Sequence, residues 1–219
     1  MSDDELSKLT KEIIKCEACH LKDDRTQVVP GTYGPKNGLC FIGEAPGYYE
    51  DQKGLPFVGR SGKLLDKMLD GINLVREKDV SILNIVKCRP TTKEGNNRTP
   101  NEKELRFCGE RWLYKQLKLL SPEMIVTLGG IALKFFSTNA SVTKSAGKII
   151  DIENGSQIFV TYHPAYILRN YNLMEEYNSH FESINQILKE GNFQPDSYNK
   201  EKQKAPKQRS EQKSLTDFL

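Results

Sequence analysis

No apolar run in this sequence approaches the roughly 20 residues that cross a bilayer. Its start, MSDDELSKLTKEIIKC, carries no signal-peptide core. These absences speak against a membrane protein and predict a cytoplasmic one. Charge of one sign is also scarce: 32 basic against 29 acidic residues leave only +3. That is too mild to establish nucleic-acid binding, although a pI of 8.5 permits it. Apolar residues reach only 37%, which suits a soluble domain with a polar appendage. The chain has 219 residues. A folded body of roughly 190 residues buries about 70% of its unfolded surface and needs no disulfide staples. No internal repeat is visible.

What is present alternates between strand-like and helix-like segments. Short apolar runs at Leu39–Gly43 (LCFIG), 81–86 (SILNIV), Met124–Leu128 (MIVTL) and 158–162 read as strands. Apolar residues at helical spacing mark 6–16, 61–72, 101–120, 129–136 and 175–188. This alternation predicts an α/β fold: three layers, α/β/α, around a central, mainly parallel four-stranded sheet. Sites in such sheets lie beyond the carboxyl ends of the strands. Three polar stretches fall there: GEAPG, NIVKCRP and TYHPAYILR. After about residue 194 the chain loses its aliphatic residues, and 196–210 reads as a disordered linker. The expected division is a folded domain at 1–194 and a flexible basic tail at 195–219.

The five cysteines separate into one and four. Cys40 lies inside an apolar strand and reads as a buried thiol. Cys16 and Cys19 form a C-x-x-C at a helix end; Cys88 follows a strand and Cys108 falls on the next helix. In a reducing compartment such a set suggests metal, either zinc or an iron–sulfur cluster. The irregular reach from Cys88 to Cys108, with Pro90 and Pro100 between, suits a bulky cluster at least as well as a compact zinc knuckle. A redox C-x-x-C is disfavoured, because Cys16 and Cys19 do not follow a strand.

Gly43-Glu44-Ala45-Pro46-Gly47 is a small-residue loop at a strand end, where backbone can approach a ligand closely. Phe57, between Pro56 and Gly59, is either a core plug or a stacking surface for a planar ligand. Each piece alone is an ordinary turn. Together, GEAPGYYEDQKGLPFVGRSGKLLD, NIVKCRP and TYHPAYILR resemble, in order, the motifs of the family 4 uracil-DNA glycosylases, and the likeness covers residues 16–188.

The resemblance implies a monofunctional, monomeric enzyme that flips uracil from single- or double-stranded DNA and hydrolyses its glycosidic bond. It implies one 4Fe-4S cluster on Cys16, Cys19, Cys88 and Cys108. Phe57 would stack on the extruded base, and Asn84 would read its Watson–Crick edge, since an amide offers the donor and acceptor that uracil requires. Gly43 and Ala45 would contact the base through backbone. Glu44 would position or activate water. Glu50 would crowd the C5 edge against thymine. His163 would hydrogen-bond O2, and Arg169 would meet phosphate or support the site. Ile167 and Leu168 lie where related enzymes insert a wedge.

Ala45 stands where the best-known glycosylase family has its water-activating Asp, which leaves the role of Glu44 open between base, water-holder and sugar-cation stabiliser. The loop TTKEGNNRTP has no His for covalent trapping of uracil, but Lys87, Arg89, Lys93 and Arg98 are candidates for phosphate contact. His20, His180 and Trp112 read as surface, surface or core, and core. In the tail, Gln212, Leu215, Phe218 and Leu219 resemble a sliding-clamp-binding peptide, with Leu215 and Phe218 one helical turn apart. Two readings of other classes remain: a non-catalytic, metal- or cluster-stabilised nucleic-acid-binding module, and an iron–sulfur electron carrier.

Overall fold

The computed structural model describes residues 3–36, 38–152 and 156–191. In chain order these form α1 (Asp3–Ile14), β1 (Leu39–Gly43), α2 (Tyr48–Lys53), α3 (Arg60–Gly71), α4 (Arg76–Asp79) and β2 (Val80–Asn84). Next come α5 (Glu102–Cys108), a π-helical turn (Gly109–Leu113), α6 (Tyr114–Leu120), β3 (Met124–Leu128), α7 (Gly130–Phe136) and α8 (Val142–Ser145). Then follow β4 (Lys148–Asp151), β5 (Gln157–Thr161), α9 (Pro164–Arg169) and α10 (Met174–Glu190).

The sheet has five strands in the order β2-β1-β3-β5-β4, so the expected four is corrected to five. The first four are parallel, and β4 lies antiparallel on the β5 edge. The sequence hid β4 because its residues Lys148, Ile149, Ile150 and Asp151 are half-buried or exposed, with no alternation to reveal an inner face.

Alternate strand residues feed two cores. Cys40, Ile42, Leu83, Ile125, Ile158 and Val160 face a layer containing Leu9, Ile13, Trp112, Leu117 and Leu133. Leu39, Phe41, Ile82, Val126 and Phe159 face Leu65, Leu69, Tyr177, Phe181 and Ile184. The three layers follow from this period-2 alternation. In α10 the buried Tyr177, His180, Phe181 and Ile184 repeat at i, i+3, i+4 and i+7, and Phe181 stacks on Phe41 at 5.9 Å. Each such large apolar side chain, fully buried, contributes about 1.5–3 kcal/mol.

The expected single helix at 101–120 is one helical rod interrupted after Cys108 by the π turn. It starts on a capping box, in which Asn101 Oδ1 accepts from Glu104 N and Glu104 accepts from Asn101 N. At the turn, Gly109 lets the rod approach Phe135; a Cβ there would lie 2.4 Å from that ring.

Chain reversal at β1 places β2 on one side and β3 on the other. The crevice expected at such a switch point lies beyond the carboxyl ends of β1 and β2. Among the described residues, no helix is long and apolar enough to cross a membrane.

Candidate active site

A cleft of about 510 Å³ opens at this end of the sheet, lined by the loop after β1, the ends of β2 and β5, and α9. Asn84 closes β2, directly opposite Gly43 in the parallel register. It is 2% exposed, and its Oδ1 is buried without a hydrogen-bond partner. A Cβ on Gly43 would lie 2.5 Å from that oxygen and 2.7 Å from Phe57 Cζ, so glycine is what lets the amide, the ring and the strand end converge. An unpaired buried acceptor costs about 1–3 kcal/mol. Here it faces a cleft that can receive a donor.

Phe57 is buried and holds a left-handed backbone (φ 50°). Strain of this kind persists where the surroundings over-determine it. Its carbonyl accepts from Arg76 at 2.8 Å, and Arg76 also binds Asp66 and the Pro56 carbonyl. The two following amides, Val58 and Gly59, both donate to Glu50 Oε1 at 2.9 Å, while Gly47 N donates to Glu50 Oε2 at 3.2 Å. On the far side, α3 presses so closely that a Cβ on Gly62 would overlap the Phe57 carbonyl at 1.7 Å.

Glu50 is therefore a clamp between the two loops of the cleft. Three amides hold its carboxylate in one place at the edge of the cleft. Asp51 ties the same helix to the N-terminal segment by accepting from the Thr26 and Gln27 amides. Arg76 and Asp51 were not legible as site residues, since their partners are backbone atoms distant in sequence.

His163 caps α9. Its Nδ1 accepts from Ala165 N at 3.0 Å, which leaves the proton on Nε2. Burial lowers its pKa to about 4, with the Arg169 guanidinium adding to the effect and Glu50 opposing it. The ring is thus a neutral donor near pH 7, 5.6 Å from the Phe57 ring. Gly129 at the end of β3 makes room for it; a Cβ there would lie 2.8 Å from His163 Cβ.

Ala45, Leu168 and the exposed Arg169 line the cleft with these residues. Ile167 does not: it is fully buried in the core, so only Leu168 of the expected wedge pair reaches the opening. Glu44 lies beside the cleft without lining it. Its carbonyl accepts from Val86 N, and burial raises the pKa of its carboxyl.

The basic residues expected at phosphate mostly have other work. Lys87 is 1% exposed and donates from Nζ to the Asn84 carbonyl at 2.6 Å. Arg89 is held by Asn97 Oδ1 and the Gly95 carbonyl. Arg98 grips Glu104. Lys93 alone of the four is exposed.

The four cysteines lie around one core and within electrostatic reach of one another. Cys88 and Cys108 belong to the core, and Cys16 and Cys19 pack against it. Electrostatically, Cys88 senses Cys16 and Cys19, while Cys108 senses Cys88 and Cys19. N–H donors reach three of the sulfurs: Trp112 Nε1 to Cys16 Sγ (3.3 Å), Arg25 to Cys88 Sγ (3.2 Å) and Lys87 N to Cys108 Sγ (3.3 Å). Burial pushes Cys88 up to about 11 and Cys108 to about 12, which disfavours their thiolate forms. No three His, Cys, Asp or Glu side chains among the described residues are placed to hold a single metal ion. A donor set of four sulfurs, three of them reached by N–H groups, fits a thiolate-ligated cluster.

His20 binds Glu104 at 2.9 Å, and Trp112 is core. His180 is buried on Thr161. Cys40 is buried, with its thiol pushed up to about 12. Gln212, Leu215, Phe218 and Leu219 lie outside the described residues.

Residues 30–189 match the model of the uracil DNA glycosylase superfamily, and the chain belongs to that superfamily. Its similarity is to the type-4 branch. A type-4 uracil-DNA glycosylase of Archaeoglobus fulgidus is 38% identical over 198 residues, covering 87% of this chain and 96% of the relative. That of Thermotoga maritima is 44% identical, covering 76% and 85%. That of Sulfurisphaera tokodaii is 37% identical, covering 84% and 85%.

Proposed function

We propose that this protein repairs DNA by flipping out uracil and hydrolysing its N-glycosidic bond, leaving an abasic site. The observation that carries the reading is Asn84 Oδ1, a buried acceptor without a partner at the floor of a cleft. Uracil supplies what it lacks: N3–H donates to Oδ1 while O4 accepts from the amide nitrogen. Cytosine offers an acceptor at N3 and an amine at C4, so both contacts fail. Phe57 is the stacking floor.

As the C1′–N1 bond breaks, its electron pair leaves with uracil, and negative charge gathers at O2. Neutral His163 meets that oxygen with Nε2–H, without a proton having to move. A preorganised donor of this kind lowers the barrier by about 2.7–4 kcal/mol. A water oxygen then bonds to C1′ and its proton is released. Glu44 stabilises the sugar cation or orients that water from the margin of the cleft. Leu168 fills the gap left by the flipped base, and Arg169 meets phosphate.

Cys16, Cys19, Cys88 and Cys108 would hold one 4Fe-4S cluster, which joins the end of α1 to β2 and α5 as a structural tie. In the tail, Gln212, Leu215, Phe218 and Leu219 would dock a sliding clamp, and the enzyme would act as a cytoplasmic monomer. The test is base release under single-turnover conditions from an oligonucleotide with one uracil, single-stranded or opposite guanine. Alkali-dependent cleavage at uracil, and none at thymine opposite guanine, supports the proposal. No cleavage by folded, cluster-loaded protein would leave a binding module instead.

A further inference from the structure

Beside the base-binding floor lies a pair of aromatic side chains that the excision chemistry leaves unused. Tyr48 and Tyr49 open α2, keep 52% and 59% of their surface exposed, and both line the cleft. Their rings meet edge to face, with centroids 5.5 Å apart at 82°. The Arg89 guanidinium lies 5.2 Å from the centre of the Tyr48 ring and is itself fixed by Asn97 and the Gly95 carbonyl. Tyr48 is thus braced by an immobilised cation and leaves half its surface open.

Exposed large aromatics of this kind mark an interaction surface. Flat rings with guanidinium groups nearby suit a strand whose bases stack and whose phosphates are anionic. The patch is continuous with the candidate active site, whose lining also includes Arg60 and Arg169. That continuity and that charge favour the substrate strand over a protein partner.

Resting on the uracil reading above, we propose that Tyr48 and Tyr49 form a stacking platform for the nucleobase next to the flipped uracil on the same strand. The platform holds an unpaired strand that has no complement to keep it ordered, so its effect is larger on single-stranded than on duplex DNA.

The experiment uses full-length, cluster-loaded protein and oligonucleotides, single-stranded or annealed to a complement, with one non-cleavable 2′-fluoro-deoxyuridine. 2-Aminopurine is placed immediately 5′ or 3′ of it as a fluorescent reporter of stacking. Wild-type protein should quench the reporter on one side. Tyr48→Ala and Tyr49→Ala should lose that quenching and raise Kd about 10-fold or more, while Tyr48→Phe retains both. The single-turnover excision rate at saturating enzyme should fall by a smaller factor than the affinity.

Unchanged quenching and Kd in both alanine variants, with uracil still excised by wild type, overturn the platform alone. Absence of excision by wild type overturns the uracil reading and the platform with it. Equal losses on single-stranded and duplex DNA refute the strand preference.

Discussion

Asn84→Ala separates folding from function in opposite directions. In the free protein, Asn84 Oδ1 is buried and unpaired, at a cost of about 1–3 kcal/mol. Alanine removes that cost. It also removes packing beside Gly43, but the space created opens into the cleft, so no sealed cavity forms. The variant should be as stable as wild type or up to about 2 kcal/mol more stable.

With uracil bound, the same change strands N3–H and O4 without partners in a closed site. Two lost contacts of about 1–2 kcal/mol each raise the barrier by roughly 2–4 kcal/mol, which is about 30- to 1,000-fold in rate. Thermal midpoints and single-turnover excision on the same preparations give both numbers. A clearly lower midpoint would mean that the amide is paired in the folded protein, and the orphan argument fails. Excision within a few-fold of wild type would mean that Asn84 does not read the base.

His163→Ala should slow excision about 10²- to 10³-fold with little effect on substrate Kd, as expected for a donor that acts on developing charge. Its pKa is about 4 against about 6.5 unfolded, so the unfolded chain binds more protons between these values. Stability should therefore fall as pH drops from 6.5 to 4, and denaturation midpoints of the alanine variant should lose that slope. Glu50→Gln keeps an acceptor for Val58 and Gly59 but sets an amide NH₂ against Gly47 N–H, which should lower stability by about 1–3 kcal/mol. Thymine excision should stay absent unless the side chain moves. Cys108→Ser should abolish absorbance near 400 nm and destabilise the protein, whereas Cys40→Ser should retain the chromophore. Glu44→Gln separates a base from the other two roles open to that residue: a rate that loses its pH dependence indicates a base, and a uniform drop indicates water or sugar-cation positioning.

The site was legible in the sequence wherever a short motif carries it. GEAPG, PFVG, NIVKC and HPAYILR each map to one wall of the cleft, because a parallel sheet gathers strand ends at one edge. Strands β1 and β3 matched residue for residue, since buried parallel strands are continuous apolar runs. What stayed hidden is the support. Lys87 and Arg98 looked like phosphate ligands, yet their charges are satisfied by the Asn84 carbonyl and by Glu104, groups that only the fold brings near. Ile167 and Leu168 are neighbours with opposite fates, because one step along α9 turns the side chain by about 100°, from core to cleft.

The π turn after Cys108 sets the phase of the whole rod. Each residue of an α-helix advances the direction of its side chains by about 100°, and a π turn accommodates one residue more than an α turn. Before it, the rod presents Cys108 to the other thiols; after it, Leu117 and Leu120 face the sheet. Both orientations hold only at this chain length. Trimming one residue between Gly109 and Leu113 would leave every remaining side chain unchanged in kind, yet swing one half of the rod about a third of a circle against the other. Tolerance to substitution and tolerance to deletion are thus different properties here: the turn acts as a spacer whose length, more than its chemistry, keeps a ligand and a core helix in register.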